Sequence, residues 1–91
     1  MYGTSHNYMK FAIEYHIEFG SNDGTSIDRH GTIVVDEDTV TTEAEAEQWL
    51  LVQFEGREDK LLDPPVVDIS NLDFTKIVTE ELVIHRCSKV S

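Results

Sequence analysis

The sequence predicts an α+β domain: an antiparallel sheet of about four strands, in the order β-β-α-β-β, with one helix packed on one face. Three observations predict it. A stretch near the start alternates strictly between apolar and polar residues, a turn-forming cluster leads into a β-branched run, and a capping signature opens one clear helix.

The alternation sets the first strand. Met9, Phe11, Ile13, Tyr15, Ile17 and Phe19 fall on one face, and Lys10, Ala12, Glu14, His16 and Glu18 on the other. Gly20-Ser21-Asn22-Asp23-Gly24 is dense in residues that tolerate turn geometry, so the chain reverses there. The second strand of a hairpin then covers 27–36 and ends in Thr32-Ile33-Val34-Val35. Pairing Phe19 with Ile27 places Tyr15 opposite Gly31, Ile13 opposite Ile33 and Phe11 opposite Val35, which keeps one apolar face continuous.

After a polar connection, Thr42-Glu43-Ala44-Glu45 has the spacing of a capping box. The Thr42 hydroxyl and the Glu45 carboxylate each satisfy a free backbone amide there. The helix runs over 43–55, with Gly56 placed to end it in a left-handed conformation. Ala46, Trp49, Leu50, Gln53 and Phe54 make the stripe that covers the sheet. Leu51 and Val52 lie about 120° to either side of that stripe, so later chain or a partner must cover the flanks.

Beyond a charged loop and Pro64-Pro65, a third strand is expected at 66–69 and a fourth at 79–87. Leu72, Phe74 and Ile77 between them fit neither period. Residues 9–91 form the single domain of this reading, preceded at 1–8 by a flexible arm or an expression remnant.

Composition narrows the function. The 91 residues carry a net charge of −11, which opposes direct binding to nucleic acid or to an anionic membrane and favours a partner protein with a basic surface. No apolar run approaches the roughly 20 residues of a membrane-spanning helix, and no secretory leader is visible. A single cysteine, Cys87, forms no intramolecular disulfide, which suits the cytoplasm.

Chemistry-bearing residues fall in three places. His16 and His30 face each other in the expected register, beside Glu14, Glu18 and Asp28. Two imidazoles fall short of the three or four ligands of a zinc site, so the pair reads as a solvated face and no metal or cofactor is assigned. His85 and Cys87 share one face of a regular strand, the geometry of a His-activated thiolate. No oxyanion-type turn accompanies them, so Cys87 reads as structural and the chain as no enzyme.

The third place is the acidic stretch 36–59, whose nine carboxylates are Asp36, Glu37, Asp38, Glu43, Glu45, Glu47, Glu55, Glu58 and Asp59. Over about 20 Å of helix one DNA strand presents about six charges. The helix offers four, on different faces, which fits an acidic docking patch and not a duplex mimic. These nine carboxylates, with Leu51 and Val52, are the expected partner-binding residues.

Met9-Lys10-Phe11-Ala12-Ile13-Glu14-Tyr15, then Gly31-Thr32-Ile33-Val34-Val35, then Thr42-Glu43-Ala44-Glu45-Ala46 give a layout that resembles small acidic phage-encoded ββαβ-type proteins, some anti-CRISPR inhibitors among them. The resemblance implies an inhibitor acting in the host cytoplasm, docked on a basic nucleic-acid-binding protein. It assigns a role to no single residue. The alternative is a homo-oligomeric structural or accessory protein, a homodimer in its simplest form, joined through the apolar flank at Leu51 and Val52 or through an open sheet edge.

Overall fold

Strict alternation becomes a central strand. In a computed structural model, which describes residues 9–56 and 67–90, the elements are β1 (Phe11–Ser21), β2 (Ser26–Val35), α1 (Glu43–Gly56) and β3 (Ile77–Lys89). They form an antiparallel sheet of order β2-β1-β3 with one helix on it. Phe11, Ile13, Tyr15, Ile17 and Phe19 of β1 are all buried. Each such side chain contributes roughly 1.5–3 kcal/mol by leaving water.

The hairpin register is the expected one, with Phe19 opposite Ile27, Tyr15 opposite Gly31 and Phe11 opposite Val35. Its turn is closed by the Gly24 amide donating to the Ser21 carbonyl (3.1 Å) and the Ser21 amide donating to the Thr25 carbonyl (2.8 Å). Gly24 takes φ +90°, a backbone conformation that a side chain would strain. Asp23 fixes the exit by accepting from the Thr25 amide and hydroxyl. Those two bonds hold its carboxyl below the usual carboxylate range.

The capping box of α1 also forms. The Glu45 amide donates to the Thr42 hydroxyl (3.1 Å), while Glu45 Oε1 accepts from the Thr42 amide (3.1 Å) and from the amide and hydroxyl of Thr41 (both 2.8 Å). Thr41 thus doubles the expected cap. Ala46, Leu50 and Phe54 are buried against β1 and β3, with Val40 closing the near end. Trp49 is half-buried, whereas Gln53, expected in the stripe, is exposed. Gly56 is the last helical residue and does not take the left-handed conformation expected of it. No helix among the described residues is long and apolar enough to cross a membrane.

Among the described residues the sheet has three strands, not about four. Val67, Asp68 and Ile69 form no strand, and Val66 lies outside the described residues. The backbone here is committed to turns. Asp68 accepts from the Ser70 amide (2.9 Å) and hydroxyl (2.6 Å), and the Leu72 amide donates to the Ile69 carbonyl (3.3 Å). No edge of β1 remains for another strand, because β2 takes one and β3 runs along the whole of the other. The segment instead packs Val67 and Leu72 onto the core, and Arg29 Nη2 donates to the Ser70 carbonyl (3.0 Å). Pairing with β3 on its second edge makes β1 central.

Two tests follow from this packing. A Cβ built on Gly20 would meet Thr79 Oγ1, its neighbour across β3, at 2.3 Å. Gly20→Ala should cost about 1 kcal/mol in urea unfolding. Combining it with Thr79→Ala should recover most of that, and purely additive effects would contradict the contact.

Burial pushes the Tyr15 phenol up to about 12. Below pH 10 both folded and unfolded chains hold this proton. Between about 10 and 12 the unfolded chain releases it while the folded chain keeps it, so stability falls as pH rises, by on the order of 3 kcal/mol in all. Denaturant curves across this range should show that decline in the native chain and not in Tyr15→Phe.

Candidate functional site

The face of the sheet opposite α1 carries the side chains that the core does not use. Pairing across the three strands sorts them into rows. Thr32, Glu14 and Arg86 stand in one row, and Asp28, Glu18 and Glu81 in another four residues along. Between these rows His16 lies opposite His30 on one side and Val83 on the other.

Leu82 and Ile84 pair with the inward Ile17 and Tyr15, so alternation puts Val83 and His85 on the outer face of β3. The register shifts between Glu14 and Tyr15, so that Glu14 faces Arg86 and Tyr15 faces Ile84, with His85 as the extra residue of a β-bulge. His85 lies outward beside His16 and His30, and the bulge turns Arg86 out and Cys87 toward the core after it. His16 Nδ1 and His85 Nε2 share a hydrogen bond of 2.5 Å. The ring centroids lie 4.7 Å apart for His16 and His85, 5.4 Å for His16 and His30, and 5.7 Å for His30 and His85. One ring nitrogen from each of the three falls within 4.8 Å of the other two, so the set offers three ligand atoms to a metal ion. A shallow depression of about 450 Å³ opens here, lined by Glu14, Gly31, Thr32 and the rings of His30 and His85.

The same bulge corrects the expected pairing of His85 with Cys87. Cys87 lies opposite Ile13, packs against the core, and its Sγ donates to the Glu43 carbonyl (3.7 Å). The two side chains point to opposite faces, so no His-activated thiolate exists. Burial pushes the Cys87 thiol up, and the nearby Glu47 and Glu43 carboxylates push it further.

One signal in the sequence marks the bulge. Leu82 and Ile84 set the inward phase of β3, which would next bring the charged Arg86 into the core. Shifting by one residue replaces it with Cys87 and turns Arg86 out, with His85 left as the extra residue on the outer face.

The acidic residues lie elsewhere. Asp36, Glu37 and Asp38 are exposed in the connection before α1, as are Glu43 and Glu45 in its first turn and Glu55 in its last, whereas Glu47 is half-buried. Leu51 is half-buried and Val52 is 52% exposed. Glu58 and Asp59 lie outside the described residues. Among the described residues one ion pair touches this group, Lys10 with Asp36 at 3.9 Å, and both partners are largely solvated. The structure thus brings Asp36, Glu37, Asp38, Glu43, Glu45 and Glu47 to one end of α1, leaves Glu55 at the other, and joins none of them to the histidines.

Comparison with protein-family models, with curated proteins and with solved structures finds no match, so the geometry alone carries the reading.

The placement of Cys87 predicts an inert thiol. Modification by an aromatic disulfide reagent at pH 8 should run about tenfold or more slower in the native chain than in urea. Equal rates would mean that the thiol is as free as one in an unfolded chain.

Proposed function

We propose that the protein is a non-catalytic binding module that docks its acidic surface, centred on the connection before α1 and the first turns of that helix, on a basic protein surface. The observation that carries this reading is the near absence of internal compensation. Seven carboxylates lie between residues 36 and 56 with no basic residue in the same span, and one of the seven has an ion-pair partner among the described residues. Acids in the first turn suit the helix dipole, but Glu55 in the last turn opposes it, and no basic residue stands there. In the isolated chain this arrangement costs stability, and a basic partner offsets the cost. A groove that otherwise holds nucleic acid has the required charge, and the resemblance of the layout to phage-encoded inhibitors would make such a host protein the partner.

A second reading has its own support. Both β2 and β3 are edge strands, ten and thirteen residues long, and Val34 and Val78 are exposed on them. Self-association through an edge would give a homodimer. Light scattering at high concentration separates the readings, since a strict monomer removes this one.

The docking reading is tested by pull-down from bacterial lysate, washed at low and at high salt, with the native chain and with the triple variant Glu37→Lys, Asp38→Lys, Glu55→Lys. A stoichiometric partner should be retained at low salt and released by high salt. Its association with the variant should slow by at least about tenfold and lose most of its salt dependence. Retention of the same partner by the variant with unchanged salt dependence would reject the acidic surface.

A further inference from the structure

We propose that His16, His30 and His85 form a binding site for one divalent transition-metal ion of the Zn²⁺ class. The inference goes beyond the docking reading and stands or falls independently of it.

Three observations point the same way. The first is convergence: each strand of the sheet supplies one imidazole, and one nitrogen from each lies within 4.8 Å of the others. Ligand nitrogens on a tetrahedral zinc stand about 3.3 Å apart, given Zn–N distances of about 2.0–2.1 Å. Rotation of the exposed His30 and His85 rings brings the set to that spacing, the His16–His85 pair opening from 2.5 Å. The second is the bulge, whose unpaired extra residue on this face is His85. Bulges are over-represented next to functional sites.

The third observation is the row next to the histidines. Asp28, Glu18 and Glu81 face one another directly across all three strands. Like charges in register destabilise a sheet. A cation held by the neighbouring row lies roughly 7 Å away, one two-residue step along the strands, and offsets that repulsion. On the other side Glu14 lines the same depression as His30 and His85 and adds a negative charge beside the histidines.

The ligand set selects the metal class. Neutral imidazole suits zinc, copper and nickel ions, whereas calcium and magnesium need oxygen donors. In the hydrogen bond between His16 Nδ1 and His85 Nε2 one nitrogen carries a proton. Ligation through both requires the donor ring to move that proton to its other nitrogen, a tautomer change that needs no oxidant or reductant. Three protein ligands leave a fourth position open to water.

Titration of the full chain with zinc chloride by calorimetry, in a non-chelating buffer, should give one ion per chain. His16→Gln, His30→Gln and His85→Gln should each weaken binding by at least about tenfold, and magnesium should not compete. At a hundredfold excess over the dissociation constant the native melting temperature should rise by on the order of 10 °C. A readout on the native chain needs no variant: zinc should protect His16, His30 and His85 from diethyl pyrocarbonate, as mapped by mass spectrometry. Absence of saturable binding overturns the site, as does binding undiminished in the triple Gln variant, or histidines that zinc leaves unprotected. A doubling of mass in light scattering on adding zinc also overturns it, since the ion would then bridge two copies.

Discussion

The structure depends on the position of one strand. β1 has neighbours on both edges, a helix and a loop over one face, and five consecutive inward side chains all buried. Because the period of a strand is two, a slip of one residue against either neighbour would carry Phe11, Ile13, Tyr15, Ile17 and Phe19 into water together. The register of β2, the seat of α1 and the path of segment 67–76 are all solutions to covering that one apolar row. With both edges of β1 occupied, any further strand would have to pair with β2 or β3. Among the described residues none does.

The bulge in β3 is the one place where this regularity yields. It reconciles two demands that a regular strand cannot meet together: apolar Leu82, Ile84 and Cys87 facing inward, and Arg86 facing out opposite Glu14. Moving one residue out of the ladder satisfies both, and that residue is His85. Core packing on one face therefore determines which side chains gather on the other. The histidine cluster is positioned by apolar contacts that it does not itself make.

Most of the fold was legible in the sequence because its signals are local. Alternation over β1, the Asn22-Asp23-Gly24 turn and the Thr42–Glu45 cap are each settled within a few residues, and the hairpin register follows from matching two apolar faces. What was not legible depends on partners far apart in the chain. Val67, Asp68 and Ile69 have the composition of a strand, but β1 offers them no free edge and the Asp68–Ser70 bonds lead the backbone into a turn. Cys87 and His85 looked like a pair because regular geometry was assumed across a bulge. The facing of His16 and His30 was readable from the hairpin, but the third imidazole arrives from 55 residues further on, through a register that the local pattern does not state.

The two faces also differ in what holds them. The core face is fixed by burial, so its residues cannot change without loss of stability. Those on the outer face are largely solvated, and the ladder constrains their backbone but not their chemistry. A net charge of −11 draws cations of every kind toward such a surface, with little power to choose among them. Carboxylates alone, mobile and hard, would hold a basic protein loosely and a divalent ion indifferently. Selection needs donors of defined type at defined spacing. In this molecule only the three imidazoles, among the described residues, supply both, because each is anchored on a different strand of one sheet. The acidic field brings cations near, and the spacing of the rings decides which ion is kept.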